Sequence, residues 1–211
     1  MQRYVVILLL FLTTISSAMA DTTDDLIQRV DSIMDNISQI YGKKQARIDF
    51  NKNMAEKSRK PETLLSAYDK LYDEYFVFQF DSAMVYVDKA IQLADRIGDK
   101  YHHDKSRIEK ASLLAVGGLY GEAIGLLGEI DSVKLDDELR FTYTITHYYV
   151  YTYWADYCHD NTYSPRYRER ADSYLKQAVA MLRPTDSYYD FFWGEYYIYV
   201  ERNDQRALQH Y

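Results

Sequence analysis

The clearest pattern along the chain is a short apolar phrase that recurs four times. Each copy begins with an alanine and has a large apolar or aromatic residue four positions later. The copies are Ala83-x3-Val87-x2-Ala90, Ala123-x3-Leu127-x2-Ile130, Ala171-x3-Leu175-x2-Ala178 and Ala207-x3-Tyr211. Steps of four and three place these residues on one face of an α-helix. Because the alanine lets a neighbouring helix come close, the recurrence predicts repeated helix pairs stacked into an α-solenoid.

Polar and glycine-containing breaks divide residues 61–211 into successive helices. Pro61 suits a first helical turn, Gly98 and Gly117-Gly118 are helix ends, and Pro184 stops a later helix. The predicted helices span residues 64–78 and 82–97, 104–116 and 122–130, 136–157 and 166–182, with a last one from residue 187. This order predicts about three and a half helix pairs over residues 61–211, the last pair being truncated.

A heptad-like stripe precedes the helix pairs. Its apolar residues alternate in steps of four and three, and they are Leu26, Val30, Ile33, Ile37 and Ile40. Such a stripe predicts a long N-terminal helix over residues 21–60. Two arrangements fit it: a coiled-coil arm that forms a homodimer, and a helix packed along the repeats of its own chain. The regular stripe covers only two heptads, so both remain open.

Residues 1–20 have the three parts of a cleaved secretory signal peptide. Arg3 provides the positive start, residues 4–12 form an apolar run, and Ala18-Met19-Ala20 is an A-x-A cleavage site. The run is shorter than the about 20 apolar residues that a membrane span needs. We therefore expect cleavage after Ala20 and export to the periplasm. No later segment is apolar over such a length, so the mature chain is expected to have no membrane span.

The composition narrows the classes of partner. The formal net charge is -7, which argues against a nucleic-acid partner because phosphates require clustered lysine and arginine. Cys158 is the only cysteine, so no intrachain disulfide is predicted. Glycine and proline are scarce, at 8 and 3 residues, which favours helices joined by short turns over a many-stranded sheet.

The sequence carries no motif of a known catalytic site. It has no Gly-x-Ser-x-Gly, His-Glu-x-x-His, phosphate-binding glycine loop or Cys-x-x-Cys. The triplets His102-His103-Asp104 and Cys158-His159-Asp160 contain the residue types of a metal site and of a thiol nucleophile. Adjacent residues point in different directions from a helix, so neither triplet is expected to form a site. We predict no catalytic residue, no metal and no cofactor.

Aromatic residues are concentrated in two of the predicted first helices, over residues 141–157 and 188–199. Because several occupy consecutive positions, they cannot all face the core, and some are expected to line a groove on the concave face. The predicted partner-binding residues are Tyr143, His147, Tyr151, Trp154, Phe191 and Tyr197. The opposing interpretation is that the rings fill the space between helices. Arginines are candidates to bind carboxylates, or else form a solvated face; they are Arg140, Arg166, Arg168 and Arg170.

The second helix pair matches the tetratricopeptide pattern best, with Ala111, Leu114, Gly118, Tyr120, Ala123 and Leu127. The chain also resembles a family of exported Bacteroidota tetratricopeptide proteins. That resemblance rests on the segments Tyr41-Gly-Lys-Lys-Gln-Ala-Arg-Ile-Asp49, Tyr72-Asp-Glu-Tyr75, Phe78-Gln-Phe-Asp-Ser-Ala83, Gly118-Leu-Tyr120 and Glu122-Ala123. It implies the periplasmic repeat region of a membrane-anchored regulator, in which a membrane span, a coiled coil and a DNA-binding type of output region follow the repeats. This sequence shows none of those later parts.

Together these observations predict an all-α, tetratricopeptide-like right-handed α-solenoid preceded by a long N-terminal helix. The expected function is a periplasmic protein- or peptide-interaction module, the sensing or docking part of a signalling protein. Two alternatives remain, a glycan-binding repeat domain of a surface system and a small hydrolase or metal-dependent enzyme.

Overall fold

The computed structural model describes residues 2–211, with side chains described from residue 23 onward. The predicted signal peptide, residues 1–20, lies outside the residues whose side chains are described. The chain divides into two compact units, Met1–Phe50 and Asn51–Tyr211. No β-strand occurs within residues 2–211, so the predicted all-α class is confirmed.

The helices of the described chain follow one another with short connections. Their bounds are α1 (Gln2–Lys57), α2 (Pro61–Phe76), α3 (Phe80–Ile97), α4 (Lys100–Val116), α5 (Tyr120–Gly128), α6 (Asp137–Cys158), α7 (Tyr163–Met181), α8 (Tyr189–Tyr199) and α9 (Asp204–Ala207), with a 3-10 turn at Ser132–Lys134. From α2 onward they pack as the consecutive pairs α2/α3, α4/α5, α6/α7 and α8/α9. The predicted long N-terminal helix and the helix-pair solenoid are confirmed.

The first unit consists of the helix α1 as far as Phe50. The apolar stripe that the heptad pattern predicts lies on its surface, since Leu26, Ile33 and Ile40 are 60%, 64% and 58% exposed. In soluble proteins a continuous exposed apolar stripe commonly marks a contact surface.

The alanines of the recurring phrase occupy equivalent positions in the second unit. Ala83, Ala123, Ala171 and Ala207 lie in α3, α5, α7 and α9, the second helix of each pair, and none is more than 3% exposed. Their small side chains permit the close approach of the helices around them. The core is continuous across the pairs because α6 supplies Val150 to the cluster with α4 and α5, and Tyr148 to the cluster with α7 and α8.

Capping residues determine where several helices begin and end, and two of the helix starts differ from those predicted by the apolar pattern. Gly98 takes a left-handed conformation (φ 72°) and ends α3, as predicted. The Asp99 carboxylate then accepts a hydrogen bond from the His102 backbone N–H at 3.0 Å, so α4 begins at Lys100 and not at residue 104. Asp160 likewise accepts from the Thr162 and Tyr163 N–H groups at 2.7 and 2.6 Å, and α7 therefore begins earlier than predicted.

Candidate functional site: an aromatic groove between α5, α6 and α7

A groove of about 350 Å³ opens between α5, α6 and α7, and we call it the α5–α7 groove. Its lining residues are Gly121 and Ile124 of α5, Tyr151 and Trp154 of α6, and Tyr163, Arg166, Tyr167 and Arg170 of α7. A second depression of about 240 Å³ shares Tyr151 and Arg170 and continues along α7 past Tyr174 to Gln177. The two depressions are neighbours along α7, and the hydrogen-bonded Tyr151 and Arg170 line both of them.

The wall from α7 is a single helical stripe. Tyr163, Tyr167, Arg170, Tyr174 and Gln177 follow one another in steps of four, three, four and three, which places them on one face of α7. Long side chains of a helix reach neighbours three and four residues away, so this face presents a row of aromatic rings interrupted by one guanidinium.

The rings of α7 stack against those of α6. Trp154 and Tyr167 have ring centroids 4.2 Å apart with planes inclined by 16°. His147 and Tyr174 stack at 4.4 Å with planes inclined by 19°, and Tyr151 lies 5.9 Å from Tyr174. Offset stacking of this kind adds to the free energy gained by burying the rings, by about 0.5–1.5 kcal/mol per pair. The α6/α7 pair is therefore held by an aromatic seam.

The groove stays open at Gly121, which contributes no side chain to the α5 wall. A β-carbon placed on Gly121 would have no heavy atom within 4 Å, so the glycine leaves space opposite the rings. At the far side of this space, Tyr151 is buried and Trp154 and Tyr167 are half-buried, whereas Tyr163 is exposed. The groove thus has a packed floor and an accessible aromatic rim.

Two arginines complete the rim. The Cζ atom of Arg170 lies 5.4 Å from the centroid of the Tyr151 ring, and its Nη1 donates a hydrogen bond to the Tyr151 hydroxyl at 3.1 Å. This hydrogen bond raises the pKa of Arg170. The Cζ of Arg166 lies 5.9 Å from the Tyr163 centroid. Both positions are cation–π contacts, which restrict the orientation of each guanidinium.

Neither guanidinium is neutralised by the described part of the protein. Among residues 23–211, Arg166 and Arg170 have no carboxylate within ion-pair distance, whereas Arg168 between them pairs with Asp156. All three belong to the same helix, so their difference arises from the face on which each lies. The groove is a local positive site on a chain of net charge -7.

His147 belongs to the packed part of this surface. Its Nδ1 lies 3.1 Å from the Tyr143 carbonyl oxygen, and because a carbonyl can only accept, Nδ1 carries the proton and donates. Burial lowers the pKa of His147, and the hydrogen bond to Tyr143 opposes this only in part. The imidazole is therefore neutral near pH 7 and acts as a stacked ring.

The structure brings together four of the six residues that the sequence selected. Tyr143, His147, Tyr151 and Trp154 follow one another along one face of α6, with successive ring contacts from Tyr143 to His147 at 4.4 Å and from His147 to Tyr151 at 6.4 Å. Tyr151 and Trp154 line the groove directly. Whether these residues bind a partner stays a prediction.

Phe191 and Tyr197 lie elsewhere, on α8. Tyr197 is only 8% exposed and packs against His210, and the Cζ of Arg206 lies 4.4 Å from the centroid of its ring. Phe191 is 44% exposed and its ring contacts Phe192. Neither residue lines the α5–α7 groove. Their role in partner binding stays a prediction that does not depend on this groove.

The groove also differs from the expected concave surface made by first helices alone. It lies between the second helices of two successive pairs, α5 and α7, with the first helix α6 between them. The density of aromatic residues in the sequence did not identify Tyr174 and Gly121 as part of this surface. A usable signal for the α7 wall was present, since the residues 163, 167, 170 and 174 keep helical spacing.

The two polar triplets that the sequence offered as candidate sites contain residues with structural roles. Asp160 of the Cys158-His159-Asp160 triplet caps α7, and Asp99 holds His102 through its Nδ1 at 2.8 Å. In the part of the chain with described side chains, no group of three or more His, Cys, Asp or Glu residues could hold a metal ion.

A charged cluster joins α2 and α4. Lys105 Nζ lies 2.9 Å from an Asp69 carboxylate oxygen and 2.6 Å from Glu109 Oε1. Burial would lower the pKa of Lys105, but the two carboxylates raise it to about 12. Burial raises the pKa of Glu109 to about 7 although Lys105 opposes the shift. This cluster is a structural ion-pair network between two helices.

The stacked pairs, with a buried alanine in each second helix, are those of a helical-repeat protein of the TPR class. Domains of this class typically mediate protein interactions and are generally not enzymatic. A family model described as the SusR N-terminal TPR domain matches residues 34–211. The chain belongs to this family, and the tetratricopeptide part of the predicted resemblance is confirmed. Comparison with curated proteins finds no match.

Proposed function

We propose that this chain is the sensing or docking part of a signalling protein and that it binds a peptide or protein segment in the α5–α7 groove. The observation that carries the proposal is the combination of an open space at Gly121 with a continuous row of stacked rings opposite it. SusR, from which the family takes its description, is a Bacteroidota regulator, and this supports a regulatory setting.

The shape of the groove favours an extended segment. Its two depressions follow α7 from Tyr163 to Gln177, fourteen positions that correspond to about 21 Å of helix. Tyrosine and tryptophan offer a wide apolar face together with a polar edge, which is the usual composition of peptide-binding surfaces. A peptide lying along α7 would cover these rings without any change in the helix pairs.

We also propose that the domain acts after export, with the signal peptide removed after Ala20. The support is the Arg3, apolar-run and Ala18-Met19-Ala20 pattern of the sequence. Within residues 23–211, no helix has the length and apolar character needed to cross a membrane. N-terminal sequencing of the protein recovered from a periplasmic fraction should begin at Asp21. A chain that begins at Met1, or that stays in the cytoplasm, would contradict export.

The exposed stripe of α1 supports a further partner, a second copy of the chain. In the heptad register of the stripe, Val30 and Ile37 occupy position 'a' and Leu26 occupies position 'd'. A parallel two-stranded coiled coil accepts β-branched residues at position 'a'. Pairing would remove the exposed apolar surface of both helices from water. Homodimerisation through α1 is therefore part of the proposal.

The groove is tested by filling it. Gly121→Phe adds a ring at the open position without removing any lining side chain, and the helical backbone there suits any L residue. The matched control is Gly128→Phe, at the end of the same helix, where the Cβ position is also open but does not line the groove. Both variants are first checked for an unchanged thermal melt.

Partners captured from a periplasmic extract are then compared by quantitative mass spectrometry. The proposal expects a set of proteins bound by the wild type and by Gly128→Phe but lost with Gly121→Phe. Equal capture by all three chains would place the interaction outside the groove.

A further inference from the structure

We propose that the α5–α7 groove selects an acidic peptide segment, with carboxylates bound by Arg166 and Arg170 and a neighbouring apolar or aromatic side chain lying on Trp154 and Tyr167. The inference rests on the proposed function and specifies the chemistry of the ligand.

The rim of the groove carries two positive charges from α7. Arg166 and Arg170 lie one helical turn apart on α7, about 6 Å along its axis. In the described part of the chain neither is paired with a carboxylate, although the net charge of the protein is -7 and carboxylates are plentiful on its surface. Arg168 shows the alternative arrangement, because its guanidinium is held by Asp156. The two rim arginines therefore offer charge that the described fold does not use.

Contacts within the groove restrict the orientation of both guanidinium groups. Arg170 is fixed by its hydrogen bond to the Tyr151 hydroxyl and by the ring beneath it, and Arg166 lies over Tyr163. A guanidinium with a restricted orientation loses less side-chain entropy when it binds a carboxylate. One Nη1–H of Arg170 is used by Tyr151, so the remaining N–H groups are available for a bidentate contact with a ligand.

An aromatic surface lies beside the two charges. Trp154 and Tyr167 are half-buried and line the same groove as the two arginines. Trp154 stacks with Tyr167 at 4.2 Å and with Tyr120 at 5.9 Å, so a ligand contacts only the parts of Trp154 and Tyr167 that stay exposed. A purely ionic ligand would leave those parts uncovered, whereas a segment that places an apolar side chain next to an acidic one covers them and pairs with the arginines. Binding by exposed ion pairs alone is weak, so ring coverage supplies much of the affinity and the arginines supply the selection.

The inference is tested with two fluorescein-labelled synthetic peptides. One repeats the triplet Glu-Phe-Glu, and the other has glutamine in place of every glutamate, so the two differ in charge and not in length or ring content. Binding to the full chain is measured by fluorescence anisotropy at low and at physiological salt. The acidic peptide should bind at least about tenfold more tightly than the neutral one, and the difference should shrink as salt increases.

Three charge variants on α7 locate the effect. Arg166→Gln and Arg170→Gln should each weaken the acidic peptide several-fold and leave the neutral peptide unchanged. The matched control Arg168→Gln removes the same charge from the same helix and should have no such effect. Arg166→Gln leaves the Tyr151 hydrogen bond intact, so it tests the charge even if Arg170→Gln disturbs the groove.

The outcomes separate this inference from the proposed function. Equal binding of both peptides that is lost in Gly121→Phe would overturn acidic selection while retaining a peptide groove. Binding that survives Gly121→Phe would contradict both proposals. An equal loss with Arg168→Gln would show a general charge effect and would also overturn acidic selection. If millimolar inorganic phosphate displaced the acidic peptide completely, the site would be one for a small anion and not for a peptide.

Discussion

The indole of Trp154 and the phenol ring of Tyr167 lie nearly parallel, with centroids 4.2 Å apart and planes inclined by 16°. This contact joins α6 to α7 and at the same time forms part of the groove surface. One pair of rings therefore contributes both to the stability of the third helix pair and to the proposed binding surface.

Replacing Trp154 by alanine should reduce the free energy of unfolding by about 2 kcal/mol. The cost is below the about 3–5 kcal/mol of a fully buried Trp→Ala change because Trp154 is only half-buried. Urea denaturation followed by circular dichroism measures the loss. The control is Tyr153→Ala on the same helix. Tyr153 is 39% exposed and lies outside the groove, so its replacement should cost clearly less. Equal costs would mean that the Trp154–Tyr167 stack contributes little.

The helix pairs follow from local spacing. Ala83, Ala123 and Ala171 each begin a phrase whose next apolar residues follow in steps of four and three. Each of these alanines is fully buried in the second helix of a pair. Because the phrase depends only on helical periodicity, it can be read without knowing which helices are neighbours.

The groove depends on contacts that periodicity does not specify. Tyr148 and Tyr151 are three residues apart on α6, but the Tyr148 hydroxyl donates to Glu195 of α8 at 2.8 Å whereas that of Tyr151 accepts from Arg170 of α7. The aromatic density of α6 is divided between two neighbours, and only the packed structure assigns each ring. The open space at Gly121 cannot be predicted from the sequence either, because a glycine beside a groove and a glycine elsewhere on a helix have the same local sequence pattern.

Glu109 provides a test of the charged cluster between α2 and α4. Its pKa is raised from 4.5 to about 7, so the folded state holds a proton between these values that the unfolded state has released. The stabilisation from this proton is complete below pH 4.5 and is lost as the pH rises through about 7. Glu109→Gln imitates the protonated form, and its free energy of unfolding relative to wild type should increase from pH 5 to pH 8.

Urea midpoints of both chains across that range measure the difference. A constant difference between the two chains would mean that Glu109 keeps its ordinary pKa in the folded state.

The exposed stripe of α1 predicts self-association. Ile33→Glu places a charge at the centre of the stripe and should shift the protein from dimer to monomer in sedimentation-velocity experiments at micromolar concentration. Ser38→Glu, which adds the same charge to the same helix outside the heptad a and d positions, should leave the dimer intact. A wild-type chain that sediments as a monomer at every concentration would refute pairing through α1.

His147 should make the fold sensitive to mild acid. Burial lowers the pKa of His147 in the folded state below the ordinary 6.5. As the pH falls below 6.5, the imidazole is therefore protonated in the unfolded state before it is protonated in the folded state. The stabilising effect of the neutral imidazole is present above 6.5 and is lost as the pH falls toward the folded pKa. Its ring stacks on Tyr174 at 4.4 Å, so His147→Phe preserves the stack and removes the titrating group.

Compared with wild type, His147→Phe should lose less stability in urea titrations between about pH 7 and about pH 5. His159→Asn is the matched control, since it removes a histidine from the exposed end of α6 at a position with positive φ that asparagine accepts. This variant retains His147 and should therefore retain the acid response that His147 gives the wild type. The charged cluster at Glu109 changes stability in the opposite direction over the same pH range, so the comparison is made between the variants and not from the wild-type profile alone. Identical slopes for His147→Phe and His159→Asn would show that the buried imidazole of the seam does not govern the acid response.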